Sequence, residues 1–229
     1  MITWVASYPR SGNTFLRIVL RRVYELETAV VYDVDGVAER IGKALVGYRD
    51  LAADYEELRS SPELHLVKTH NQRRDPVQKG DPAICLVRDG RDSIVSYARL
   101  RVEECGGRFE DEVRAAILRP AESGVGGWGR NVLSWLADPD PAHAVLRYED
   151  LVASPLTSVG ATLDRLGLDV KPADDATVPT FAELQRTDSG FFRRGRTGSH
   201  RDELPDELHE LFWSVPDNRA AMELLGYLP

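Results

Sequence analysis

Residues 4–17, WVASYPRSGNTFLR, decide the reading of this chain. Their lead-in, residues 2–8, is apolar and β-branched in the manner of a strand. A Pro/Ser/Gly/Asn loop follows, and residues 14–26 then carry Phe15, Leu16, Val19, Leu20 and Val23 at helical spacing. Strand, tight polar loop and helix N-terminus together form an anion cradle, because the first turn of a helix has unpaired N–H groups aimed outward. Arg10 and Ser11 add a cation and a hydroxyl to those amides. The stretch therefore reads as a phosphate-binding loop, against the plainer reading of a polar turn with no ligand. The triphosphate pattern G-x-x-x-x-G-K-[ST] is not met. With Gly12 and Thr14 aligned to its end, Ser7 stands at the first glycine and Asn13 at the lysine. Without that lysine to reach β- and γ-phosphates, ATP or GTP hydrolysis is not expected.

Outward from this loop, 229 residues are enough for one substantial domain, residues 1–229, and cramped for two. Hydrophobic residues make up 42% and charged residues 29%, the balance of an ordinary globular protein. No run approaches the roughly 18 apolar residues of a membrane span. The chain enters its first strand almost at once, leaving no room for a signal peptide. Cys85 and Cys105 are too few for a disulfide framework or a zinc site, so a reducing, cytoplasmic setting is expected. A net charge of −8 argues against a nucleic-acid polymer as partner, since phosphate backbones need a broad basic surface. Arginines nevertheless cluster: Arg10 with Arg17, Arg21 and Arg22; Arg88 with Arg91; Arg193 with Arg194 and Arg196. Local positive charge in an acidic protein points to a small anionic ligand in a focused pocket. Arg21 and Arg22 read instead as a solvated helix face.

Further strands are expected at 63–69 (ELHLVKT), 82–88 (PAICLVR) and 144–148 (AVLRY). Helices are expected over 89–101, 109–118 and 131–136, from Ser154-Pro155 to Leu166, and at 181–186, 205–213 and 219–225. Residues 28–63 yield only short helical segments, around 37–45 and 51–58. The glycine-rich residues 122–129 read as a mobile lid or loop. Strands alternating with helices argue an α/β fold, a parallel sheet with helices on both faces. The conspicuous polar groups stand at carboxyl ends of the expected strands: the loop after Ser7, then His70, Arg88 and Tyr148. In open parallel sheets, ligands bind at that edge.

Lys68 and His70, two positions apart at a strand end, can project toward one face. An imidazole suits proton abstraction near neutral pH. A lone strand-end histidine is more often structural, but the adjacent lysine and nearby loop reverse that preference. In RDGRDSIVSYAR (88–99), Arg88 and Ser96 can converge on a second phosphate if the loop between them folds back. The alternative is a capped helix with a surface serine. Asp89 and Asp92 flank Arg91 and either cap that helix or steer the arginines. Two phosphate sites imply a nucleotide with two separate phosphates.

These segments resemble those of the sulfotransferases that use PAPS (3′-phosphoadenosine 5′-phosphosulfate). YPRSGNTFLR resembles their 5′-phosphosulfate loop, VKTH their catalytic histidine segment and RDGRDSIVSY their 3′-phosphate motif. LRYEDL (146–151) resembles their adenine-side element, and FFRRGRTG the later basic loop that closes on the 3′-phosphate. The resemblance is ordered and runs over nearly the whole chain, looking most like the compact bacterial branch. It implies a P-loop-like sulfotransferase fold. It also implies sulfonyl transfer from PAPS to a hydroxyl or amine of a small-molecule acceptor, some of these being natural products, with PAP (3′,5′-adenosine bisphosphate) as product.

By the same resemblance, Arg10 takes the place of a lysine that contacts the 5′-phosphate and the bridging oxygen. Ser11, Gly12, Asn13 and Thr14 supply the cradle, and Phe15 stacks on adenine. His70 is the general base and Lys68 the cation that helps hold the transferring group. Arg88 and Ser96 are the 3′-phosphate pair, Tyr148 an adenine contact, Phe181 a second adenine-facing aromatic. Arg193, Arg194 and Gly195 match the Arg-Lys-Gly triplet of the basic loop. Arginine at position 10 keeps the charge but replaces a point donor by a planar fork. The dimerisation segment of animal members is not kept, since Pro205-Asp206 replaces its Thr-Val between Arg201 and Glu210. Acceptor walls are expected from residues 28–66, 102–127 and 185–200. The rivals are a P-loop kinase or NTPase, which would need the missing lysine, and a non-catalytic PAP-binding protein, disfavoured by the presence of both Lys68 and His70.

Overall fold

Along the first strand, β1 (Ile2–Ser7), every residue is buried and alternate side chains leave on opposite faces of the sheet. In the computed structural model, which describes residues 1–51, 54–193 and 195–227, Ile2, Trp4 and Ala6 pack with Val67, Ala83, Cys85 and Trp135. Val5 faces the other way, among Leu16, Val19, Leu66, Ile84, Leu86 and Leu163. A sheet covered on both faces needs strands that are apolar throughout, as these are.

The sheet is completed by β2 (Thr28–Val30), β3 (His65–Thr69), β4 (Ala83–Val87) and β5 (His143–Arg147), all parallel, in the order β2-β3-β1-β4-β5. With β1 central and its neighbours on either side reached by later crossovers, the carboxyl end of β1 is a topological switch point. Helix α1 (Asn13–Tyr24) follows β1; α2 (Gly36–Ile41), α3 (Lys43–Val46) and α4 (Tyr55–Ser60) lie between β2 and β3. Next come α5 (Gly90–Cys105), α6 (Phe109–Ile117) and α7 (Trp128–Leu136), before β5. After it follow α8 (Tyr148–Ala153), α9 (Pro155–Arg165), α10 (Phe181–Thr187), α11 (His200–Glu203), α12 (Asp206–Ser214) and α13 (Pro216–Leu225). α1 and α9 cover one face of the sheet. Ile94, Val113, Trp128, Phe212 and Met222, from α5, α6, α7, α12 and α13, form the core beside Tyr8 and Val87.

The expected α/β architecture is what the chain adopts, with three differences. A fifth strand, β2, is present where no strand was expected; at three residues it is too short to display a period. Tyr148 does not end a strand but opens α8. Residues 122–129 do not hang free. Gln72 Nε2 donates to the carbonyls of Ala121 and Ser123 at 2.8 and 3.0 Å, and Asn131 Nδ2 donates to that of Val125 at 2.8 Å. Among the described residues no helix is long and apolar enough to cross a membrane.

Candidate active site

All five strands deliver polar chemistry past their carboxyl ends, and these ends border one cavity of about 640 Å³. Arg10 and Gly12 line it from the loop after β1, and Asn13, Thr14 and Phe15 from the first turn of α1; Lys68 and His70 from the end of β3; Arg88 and Ser96 from the end of β4 and from α5; Tyr148 from beyond β5. Phe181, Arg193 and Gly195 close it from the C-terminal third. Tyr32 and Asp35, after β2, complete the ring. Among the described residues six cationic side chains line the cavity against three carboxylates, although the protein carries a net −8. Of the expected site residues, Ser11 does not line it. Its hydroxyl lies 3.4 Å from Ser93 Oγ and its N–H donates to the Tyr8 carbonyl at 3.3 Å, so it fastens the loop. Arg194 lies outside the described residues.

The loop takes its shape from two left-handed residues, Arg10 (φ 66°) and Gly12 (φ 101°). Gly12 also has no room for a side chain, since a Cβ there would come 2.5 Å from Tyr148 Cδ2. Tyr148 in turn lies under the Arg88 guanidinium, 4.2 Å from ring centroid to Cζ. The first bond of α1 runs from Leu16 N–H to Gly12 carbonyl at 3.0 Å, no side chain caps the helix, and its first turn holds no acid. The amides of Asn13, Thr14 and Phe15 therefore stand open to an anion.

Arg10 and Arg88, far apart in sequence, are neighbours here. Arg10 Nε donates to Ser96 Oγ at 3.1 Å and Nη2 to the Phe191 carbonyl at 2.9 Å, with the guanidinium 4.4 Å over the Phe191 ring. Arg88 donates to the carbonyls of Arg10 and Arg196, both at 3.1 Å. Arg88 and Ser96 do border the same cavity, and it is Arg10 that Ser96 meets directly. Burial, and then the charge of Arg88, lower the Arg10 pKa to about 10, which leaves it a desolvated cation at neutral pH. Asp92 lies 3.5 Å from Arg88 and accepts from Gly198 N–H at 2.7 Å and from both the N–H and Nδ1 of His200 at 2.9 Å. Burial pushes its carboxyl up, but the His200 hydrogen bonds, Arg88 and Gly198 prevail and hold it at about 2. Asp92 thus steers Arg88 and pins the basic loop, while Asp89 caps α5 through Arg91 N–H at 2.9 Å. Arg193 borders the cavity with its guanidinium on Glu203, at 2.9 and 3.0 Å. Gly195 (φ +57°) lies against Phe181, where a Cβ would come within 2.2 Å of the ring.

His70 is oriented from below. Its Nδ1 donates to the Ser7 carbonyl at 2.8 Å, which assigns the proton to Nδ1 and leaves Nε2 as a lone-pair acceptor without a partner among the described residues. The Tyr32 hydroxyl accepts from His70 N–H, and the two rings stack with centroids 6.3 Å apart. Burial first, and then the charge of Lys68, drive the imidazole pKa well below 6.5, so His70 is neutral at pH 7. Asn13 turns its Nδ2 onto Ser7 Oγ at 3.1 Å. Tyr32 and Asp35 are lining residues that the sequence did not single out. Both follow the three-residue β2, Asp35 as the cap of α2, with no motif around them. Arg17, clustered with Arg10 in the sequence, does not line the cavity and pairs with Asp35 at 2.7 Å. An open amide nest with paired guanidiniums binds dianions, and a neutral imidazole beside it can accept a proton.

The profile of the family described as "Sulfotransferase domain" matches residues 2–224. Among curated proteins, the chain is 23% identical over 242 residues to Sulfotransferase 1 family member D1 of Mus musculus, covering 91% of this chain and 79% of that one. It is 29% identical over 199 residues to WSCD family member GA21586 of Drosophila pseudoobscura pseudoobscura, covering 85% of this chain and 57% of that longer protein. A crystal structure of mouse sulfotransferase SULT7A1 complexed with PAP shares the fold, with a TM-score of 0.69 at 20% identity over 99% of this chain and 89% of that one.

Proposed function

The chain belongs to the sulfotransferase domain family, and from that premise we propose that it transfers a sulfonyl group from PAPS to a hydroxyl or amine of a small-molecule acceptor. Residues 1–229 act as one catalytic domain in this reading. The observation that carries it is the meeting, in one cavity, of Arg10, Arg88, Ser96 and three open α1 amides with a neutral His70. That donor set fits a nucleotide bearing phosphates at two ends. When bound, PAPS supplies a sulfonyl group already activated on a phosphate leaving group.

The α1 amides, Thr14 and Arg10 would hold the 5′ end. Arg88, Ser96 and Arg193 would hold the 3′-phosphate, and Phe15, Tyr148 and Phe181 would face the adenine. His70 Nε2 takes the acceptor proton as the nucleophile forms, and Lys68 and Arg10 counter the negative charge that develops on oxygen. Desolvation strengthens both cations, because the same charge acts further in a low-dielectric pocket. The kinase or NTPase reading is disfavoured by Asn13, which spends its amide on Ser7 instead of reaching a phosphate chain.

The test is incubation with PAPS carrying labelled sulfur and a panel of phenols, sugars and glycopeptides. Label is expected in product together with an equal release of PAP. Hydrolysis of ATP without any dependence on PAPS would overturn the reading. Tight PAP binding with no transfer to any acceptor would replace it by a nucleotide-binding protein.

A further inference from the structure

Beneath the catalytic imidazole lies a buried charge arrangement that the phosphate-binding motifs do not account for. Lys68 is 5% exposed, with Nζ 4.0 Å from Asp35 Oδ1 and 5.3 Å from the Tyr32 ring centroid. Asp35 is 4% exposed; its Oδ2 lies 2.7 Å from Arg17 Nη1, and its Oδ1 accepts from Val37 N–H at 3.3 Å, capping α2. Arg17 is 1% exposed and anchors Nε on Thr28 Oγ1 at 2.6 Å. Two buried cations thus share one carboxylate. The groups facing Lys68 are Arg17 from α1, Tyr32 and Asp35 from the segment after β2, and His70 from its own strand end. Among these Asp35 is the anion.

We propose that Asp35 is a positioning residue for the transfer reaction: shared between Arg17 and Lys68, its carboxylate keeps Lys68 an ammonium beside His70. This rests on the reading of the cavity as a sulfonyl-transfer site. Of the two cations, arginine is always charged, whereas a desolvated lysine can give up its proton. Asp35 sits closer to Arg17, so Lys68 receives the weaker share of the carboxylate's field. Burial first, opposed by Asp35 and reinforced by Arg17, brings the Lys68 pKa from 10.5 down to about 8. Without Asp35 the ammonium would face burial and the Arg17 charge with nothing to offset them. A neutral amine at position 68 would neither counter charge building on the transferring group nor keep the neighbouring imidazole unprotonated. Transfer therefore needs His70 neutral and Lys68 charged, a window bounded on its alkaline side by Lys68.

Two readouts test this. One follows the Lys68 ε-carbon resonance of the free protein through pH 6 to 10, assigned by its loss in Lys68→Met. The other is the pH profile of kcat with PAPS. The wild-type resonance is expected to titrate near pH 8. Asp35→Asn should move that midpoint down by about one unit or more, and Arg17→Met should move it up, since the carboxylate then serves Lys68 alone. The alkaline limb of kcat should follow, so that Asp35→Asn loses about fivefold or more at pH 8 and recovers toward wild type near pH 6.5. A midpoint that ignores both substitutions, or a kcat lowered by one factor at every pH, overturns the proposal. If Asp35→Asn fails to fold, Arg17→Met decides: an upward shift supports the proposal and its absence overturns it. Resonances that move as expected in a protein that transfers nothing from PAPS would leave the charge arrangement standing and remove the sulfotransferase reading. Transfer by the wild type with an unmoved resonance would do the reverse.

Discussion

On one wall of the cavity, Arg10, Arg88 and Ser96 meet through a hydroxyl and main-chain carbonyls supplied by neighbouring loops. A second wall is made by Tyr32, Asp35 and Arg40, which stand on short elements after a three-residue strand, with Asp35 and Arg40 held by ion pairs to distant segments. Arg40 alone reaches Asp188 at 2.6 Å and Glu103 at 2.7 Å. The first wall is fixed by backbone geometry and has little latitude for different residue types. The second is fixed by side-chain pairing and can be rebuilt one residue at a time. A common donor nucleotide and a private acceptor would call for that division.

The strongest way to break this comparison is at His70, which lines the same cavity and touches Tyr32 of the second wall. His70→Ala is expected to lower kcat by a factor of about 10²–10⁴, the range for losing a general base, while PAP still binds. Calorimetry with PAP would show whether binding survives; its loss would make His70 a structural member of the first wall. Arg88→Ala should act next. It is expected to weaken PAP by about 1.5–3 kcal/mol, the range for a hydrogen bond to a charged group, and adenosine 5′-phosphosulfate far less. Equal losses for the two nucleotides would remove the 3′-phosphate assignment. Arg40→Ala should act least, because a part-exposed ion pair contributes about 0–1 kcal/mol. It is expected to change acceptor KM a few-fold with PAP affinity unchanged, and a drop in PAP affinity would merge the walls.

The first wall was legible in the sequence because its parts are contiguous. A β1 run, the PRSGNT loop and the α1 pattern lie within residues 2–24, and Arg88 with Ser96 straddle one strand-to-helix turn. Spacing also located Lys68 and His70. It erred where a residue's partner decides its role: Ser11 looks like a ligand-facing hydroxyl in the loop, yet it is turned onto Ser93. Tyr148 looks like a strand end because Leu146 continues the apolar run, yet the chain turns into α8 there so that its ring can meet Gly12. The second wall was illegible for a different reason. Thr28–Val30 is too short to alternate, and Asp35 looks like any helix cap until Arg17 and Lys68 are seen to converge on it.

Arg88 has one more lesson to offer. Its two amino groups rest on the Arg10 and Arg196 carbonyls, and its flat face lies on Tyr148. A long cationic side chain waving in solvent loses about 2 kcal/mol of rotamer entropy when it is captured. Here that loss is incurred once, as the chain folds, and is not repeated with each arriving guest. The guanidinium behaves as a fixture of the scaffold, set at its post before any visitor enters.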